Sequence, residues 1–235
     1  GDDDDDAIVV IPDATCDTPD VRALAGDDGY LAIQDAVDDV HGIPIGICPG
    51  TYLLGAPILI AAGTSVTLTS VEEDASTVTL NGGGAVRLIE SRHADSLDVE
   101  HLTLVAGFTE ERGGAVYLRG DTDLTVADCL FEGNVALDGG AIAMTTTDAE
   151  DEQSVTIDRT SFDANTAAGN GGAVFSDGDA QLSMTVSDCS FEGNGAGYSG
   201  AGLHLEGRVM SGSLDVVDSS FHNQTAGYTG GAASI

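Results

Sequence analysis

A short motif recurs four times in the second half of the chain at nearly constant spacing. It reads DCLFEGN over Asp128–Asn134, RTSFDAN over Arg159–Asn165, DCSFEGN over Asp188–Asn194 and DSSFHNQ over Asp218–Gln224. Phe131, Phe162, Phe191 and Phe221 follow one another by 31, 29 and 30 residues. A second motif keeps the same beat. It is Gly113-Gly114-Ala115-Val116, Gly139-Gly140-Ala141-Ile142, Gly171-Gly172-Ala173-Val174 and Gly230-Gly231-Ala232-Ala233, with Ser199-Gly200-Ala201-Gly202 as a degenerate copy.

A unit this short cannot bury an apolar face alone, so neighbouring units must stack. Within each unit the pattern is that of strands. Leu124 and Val126, Val155 and Ile157, Leu182 with Met184 and Val186, and Leu214 and Val216 alternate with polar residues. A propeller blade needs about 40 residues or more. A sandwich would not return the same residue to the same phase. The pattern predicts coils of a β-solenoid stacked about 4.8 Å apart. Like residues then form ladders. The four phenylalanines are expected inside as an aromatic column. Asn134, Asn165 and Asn194, with Gln224 in the last copy, are expected as an amide ladder in a buried turn, each amide serving the coils on either side. The paired glycines suit a corner with φ > 0 or close backbone approach. Asp128, Arg159, Asp188 and Asp218 are expected to face outward, with Arg159 relieving repulsion between its two aspartate neighbours.

Composition limits the partners. The 235 residues include 40 Asp and Glu against seven Arg and no Lys, a formal charge of −33. Such a chain repels nucleic acid and anionic membrane surfaces, and repels anionic polysaccharide unless a cation bridges the two. No apolar run is long enough for a transmembrane helix.

The first third reads differently. Residues 1–6 form an acidic leader, similar to the tether that follows the lipidated Cys of bacterial surface lipoproteins. Ala7–Pro12 reads as a short strand. Tyr30–Val40 carries Leu31, Ile33, Ala36, Val37 and Val40 at helical spacing, with Asp27 or Asp28 as cap. Ile43–Tyr52 reads as a strand closed by a Pro-Gly turn, and two more strands are expected at Pro57–Ile60 and Ser65–Thr69. Ala32-Ile33-Gln34-Asp35-Ala36-Val37 followed by Pro49-Gly50-Thr51-Tyr52 resembles the N-terminal cap of pectin-lyase-like right-handed parallel β-helices. The GGAI and FxxN pair resembles the repeats of polymorphic outer-membrane proteins, a group of bacterial surface adhesins. These resemblances imply an all-β, single-stranded right-handed parallel β-helix with one capping helix. They place the cap and first coil at 7–60 and stacked coils at 61–235. Related caps often pair two cysteines, which implies a Cys16–Cys48 disulfide and an oxidising exterior. Cys129 and Cys189 share a phase two coils apart, about 9–10 Å and too far to bridge, and read as buried fillers.

The resemblance also raises enzymatic roles. A lyase of this fold needs a basic residue beside calcium-holding carboxylates. The seven arginines show no common phase, and Arg119-Gly120-Asp121-Thr122-Asp123 is the best local candidate. A hydrolase needs two carboxylates at a defined separation, and the polygalacturonase-type set is not assembled in the sequence. No catalytic residue is assigned. No cofactor is required, and calcium is the candidate ion, with Asp2–Asp6 and with Asp148, Glu150, Asp151 and Glu152 as carboxylate sources. Tyr198 and Tyr228 share one corner of successive repeats. Packing against the glycine-rich corner is the favoured reading, and contact with sugar or another copy is the other. The sequence stops inside a new coil, at Gly231 and Ile235, which leads to the expectation of head-to-tail stacking or of a longer β-helix. The function expected is therefore an extracellular structural or adhesive β-helix, a stalk or filament subunit. The alternatives are a polysaccharide lyase or hydrolase and a calcium-dependent glycan-binding module.

Overall fold

The computed structural model describes residues 9–11, 16, 27–39, 42–146, 152–178, 181–206 and 213–235. Among them the chain is a parallel β-solenoid with one helix. Each coil crosses up to four sheets in turn. Sheet 1 has eight strands, from Val9–Ile11 to Ser213–Val217, and sheet 2 has seven, from Gly50–Leu53 to Ser220–His222. Sheet 3 is a narrow four-stranded edge, from Val135–Ala136 to Thr225–Ala226. Sheet 4 has seven strands, from Ile58–Ile60 to Ala233–Ser234. The expected fold is present.

The aromatic column forms as read. Phe131 pairs in register with Phe162, Phe162 with Phe191 and Phe191 with Phe221. Their rings stack with centroids 5.0, 4.8 and 4.5 Å apart. Leu104, Leu80 and Tyr52 continue the column toward the N-terminus. Burial pushes the Tyr52 hydroxyl pKa up to about 12, and that hydroxyl donates to Cys48 O at 2.9 Å.

The amide ladder forms over three coils. Asn134 Nδ2 donates to Asn165 Oδ1 at 2.9 Å, and Asn165 Nδ2 to Asn194 Oδ1 at 3.0 Å. Each amide also donates to a carbonyl of the preceding coil: Leu104 O, Phe131 O and Phe162 O. All three side chains are fully buried. Gln224 departs from the expectation. Its Nε2 reaches Phe191 O at 2.8 Å, but its Oε1 is buried without a partner. The extra methylene carries the amide past the point where the fourth link would close.

In the last five coils the corner between sheets 1 and 2 is a left-handed residue, with φ from 44° to 53° at His101, Asp128, Arg159, Asp188 and Asp218. Here too one detail is corrected. Arg159 bonds Asp128 at 2.7 Å and its chain neighbour Asp158, rather than bridging Asp128 and Asp188. The bond from Arg159 holds the Asp128 carboxyl below its ordinary pKa. Behind this corner, Cys129 and Cys189 are buried free thiols with Thr160 between them, as expected. Burial pushes the Cys129 thiol up to about 12 and raises that of Cys189. At the other corner the paired glycines are sterically required. Gly171 sits at φ 65°, and a Cβ there would lie 2.7 Å from the Phe175 Cβ.

The N-terminal end differs in detail from the reading. The helix spans Asp27–Asp39, beginning three residues before Tyr30. Ile43–Tyr52 is two strands, Ile45–Ile47 in sheet 1 and Gly50–Leu53 in sheet 2. Pro49 has no N–H to continue a ladder, so the chain changes sheets there. Ile33 and Val37 bury the helix against the first coils. Gln34 caps the edge of sheet 4: its Oε1 accepts from Leu59 N at 2.8 Å and its Nε2 donates to Leu59 O at 3.1 Å. One side-chain amide thus replaces the strand that Ile58–Ile60 lacks on that side. Cys16 and Cys48 form a disulfide with Cα atoms 5.6 Å apart. Closing a loop of 32 residues stabilises the fold by roughly 3–4 kcal/mol in the chain-entropy account.

Candidate functional site

Sheet 4 carries the one motif singled out for chemistry, and its outward face is unlike the rest of the surface. Strand alternation sends Val116 and Leu118 inward and Tyr117 and Arg119 outward. Register then sets two outward columns. The first is Leu59, Glu90, Tyr117, Ala143, Phe175, His204 and Ser234. The second is Arg92, Arg119, Thr145, Asp177 and Glu206. Arg92 and Arg119 therefore share a phase, which corrects the reading of the arginines as unrelated.

Although it points outward, much of the first column is covered. Arg87 is itself buried. It donates to Glu90 at 2.7 Å, to Gly113 O at 2.9 Å and to Arg112 O at 2.7 Å, and lies 4.8 Å above the Tyr117 ring. It thereby ties the 112–113 turn down onto the sheet. Glu90 receives a second guanidinium from Arg92 at 2.7 Å. Arg112 lies over Phe175 at 5.2 Å and binds Asp177 at 2.9 Å and Asp138 at 3.6 Å. The Phe175 ring stacks on His204 with centroids 5.8 Å apart. These arginines cover aromatic faces and neutralise buried carboxylate at once.

Arg119 is different. Among the described residues it has no carboxylate within ion-pair distance. It edges a cleft of about 430 Å³ lined by His93, Arg112, Tyr117, Gly120, Thr145, Thr146 and Asp177. Gly120 is needed to build it. Its φ is 91°, and a Cβ there would strike the His93 imidazole. His93 is exposed and 3.9 Å from Asp121, and Tyr117 Oη and Thr145 Oγ1 share a hydrogen bond of 3.0 Å. A free guanidinium beside hydroxyls and an imidazole is an anion-binding chemistry. Among the described residues Asp177 is the one carboxylate lining the cleft, and it is held by Arg112, so those residues do not form the two-carboxylate arrangement of glycoside hydrolysis there.

The coil pattern also decides the family. The family description for a right handed beta helix region matches residues 58–228. The chain belongs to the right-handed β-helix family. Comparison of this β-helix with curated proteins and with solved structures gave no match.

The remaining sequence-predicted positions are distributed as follows. Asp148, Glu150 and Asp151 lie outside the described residues, as do residues 1–6, and Glu152 is the exposed first residue of a sheet 1 strand. Among the described residues no three His, Cys, Asp or Glu converge as metal ligands. Tyr198 and Tyr228 do not pack into the glycine-rich corner. They are 54% and 76% exposed and stack on each other with centroids 5.5 Å apart. Gly231 is half-buried and Ile235 is exposed, both at the last described coil. No helix among the described residues is long and apolar enough to cross a membrane.

Proposed function

We propose that this β-helix is an extracellular structural and adhesive element: a rigid stalk segment or a head-to-tail filament subunit, working by presentation rather than turnover. The observation that carries the reading is the coil-to-coil identity of the interior. Phe stacks on Phe and amide on amide, so one coil's end face is a template for the next, whether that belongs to a longer chain or to another copy. The Cys16–Cys48 disulfide supports an oxidising location. The likeness of the GGAI and FxxN repeats to surface adhesins agrees with it, as does an acidic leader suited to a lipid tether upstream of Gly1. Calcium is the ion proposed for Asp148, Glu150, Asp151 and Glu152. Light scattering and electron microscopy of the purified chain, with antibody labelling of intact cells, test the reading. Rods or filaments and surface labelling are expected. A strictly monomeric protein confined to the cell interior would sink it.

A polysaccharide lyase is the second reading, favoured by one half of what it needs: Arg119 stands unpaired beside His93 in the sheet 4 cleft, while no set of calcium-holding carboxylates gathers among the described residues. Incubation with acidic glycans, with and without calcium, tests it. Unsaturated products that disappear in Arg119→Ala would establish the enzyme, and no product from any glycan would exclude it.

A further inference from the structure

Sheet 3 and the turn after it form an edge whose chemistry departs from the rest of the chain. Four successive crossings make it: residues 134–138, 165–170, 194–199 and 224–229. Together they contain one charged residue, Asp138, in a chain that is 20% charged and carries −33 overall. Asp138 is itself engaged, by Arg112 at 3.6 Å and by Asn170 N at 2.8 Å.

Backbone hydrogen bonds align one outward column on this edge. Gly169 N donates to Leu137 O, Tyr198 N to Gly169 O and Tyr228 N to Tyr198 O. The column therefore reads Leu137, Gly169, Tyr198, Tyr228. Leu137 and both tyrosines are exposed. Beside the tyrosines the surface is bare by necessity. A Cβ at Gly197 would run into Ala168 O, and one at Gly227 into Gly197 O. The flanks are hydroxylated rather than charged. Ser199 and Thr229 share a hydrogen bond of 2.9 Å, and Thr166 and Thr225 are exposed. The result is a shelf of stacked phenol rings over a flat glycine-alanine strip with hydroxyls at its rim.

We infer that this edge binds a neutral polysaccharide through Tyr198 and Tyr228. The inference rests on the adhesive reading above and supplies its ligand. Charge selects the class. An anionic polymer is repelled by the whole molecule, and a cationic partner is drawn to the acidic faces instead of to the uncharged edge. A neutral sugar chain meets none of these penalties. Its C–H groups suit the ring surface that Tyr198 and Tyr228 leave exposed, and its hydroxyls suit the Ser, Thr and Tyr oxygens.

Titration calorimetry on the whole chain tests the proposal. The probes are cellohexaose, maltohexaose and mannohexaose, with polygalacturonate as the anionic control, each with and without chelator. At least one neutral oligomer is expected to bind independently of chelator. Tyr198→Ala with Tyr228→Ala is expected to weaken that binding about tenfold or more, since each ring contributes a factor of several. Tyr198→Phe with Tyr228→Phe keeps the rings and is expected to retain most of the affinity, while melting curves establish that both double variants fold. The proposal is overturned if no neutral oligomer binds the wild-type chain, if the double Ala variant binds as well as wild type, or if polygalacturonate alone binds. It is also overturned if the double Ala variant only dissociates a wild-type assembly, which would make the edge a self-contact. Surface labelling of cells with the double Ala variant separates the two readings. Labelling that persists without glycan binding leaves the adhesive reading standing on another face.

Discussion

The interior of sheet 2 and the outer face of sheet 4 lie in the same coils and follow opposite rules. Inside sheet 2 the residue is held constant over the last four coils, Phe131 on Phe162 on Phe191 on Phe221. On sheet 4 the outward column changes at every step, from Glu90 to Tyr117, Ala143, Phe175 and His204. A stacked interior needs self-complementary groups, because each must fit above and below its own kind. An outer face is under no such constraint, so its residues can specialise. Uniformity marks what holds the coils together, and variety marks where chemistry is free to be placed.

That contrast can be broken by substitution. Phe162→Ala opens a cavity between two stacked rings and is expected to cost about 3–5 kcal/mol by urea unfolding; a loss below 1 kcal/mol would show that the column tolerates gaps. Asn165→Ala removes donors and acceptor from a buried corner, leaving the Asn134 N–H and one of the two Asn134 Nδ2 hydrogens without their acceptor, and is expected to cost about 2–3 kcal/mol in the same assay. Gln224→Asn restores the shorter amide, lets the fourth link close and is expected to raise stability by about 1 kcal/mol. Arg159→Gln tests an exposed ladder. The folded Asp128 carboxyl titrates below its ordinary value because Arg159 bonds it. Its contribution is therefore complete above about pH 4, the unfolded value, and drains away as pH falls through the lower folded one. Wild type should lose about 0.2–1 kcal/mol more than the variant on acidification through that window. Arg119→Ala, on the varied face, is expected to change stability by less than about 0.5 kcal/mol, measured alongside the others. A large effect there would assign Arg119 to the fold.

The same contrast explains what the sequence disclosed. Phe131, Phe162 and Phe191 were legible because identical residues at steps of 31 and 29 announce themselves. The buried Asn corner was legible because an amide both donates and accepts, and so can stack on its own kind. Gln224 was misread because one methylene decides whether an amide reaches its neighbour, and spacing does not report it. The arginine arrangement on sheet 4 was hidden for a different reason. Corner lengths vary, so Arg92 and Arg119 are register partners only 27 residues apart, while Ile142 and Val174 are 32 apart. The step from Leu104 to Phe131 on sheet 2 is also 27, so a beat read from the four Phe copies slips in that coil on both sheets. Arg87 was invisible altogether, since its reach to Glu90 and the 112–113 carbonyls depends on a turn folding back over the strand. Tyr198 and Tyr228 were found by phase, but their exposure followed from Gly197 and Gly227 leaving nothing beside them to pack against.

Gln34 has a wider consequence. By satisfying the sheet 4 edge at Leu59 with a single amide, it closes that edge without any reference to how many turns follow. Length is thereby uncoupled from closure. Such a chain can gain or lose a whole turn, and the product keeps the same plug, the same junctions and a reach altered by one strand spacing. Natural selection can tune how far the molecule extends without having to reinvent how it starts.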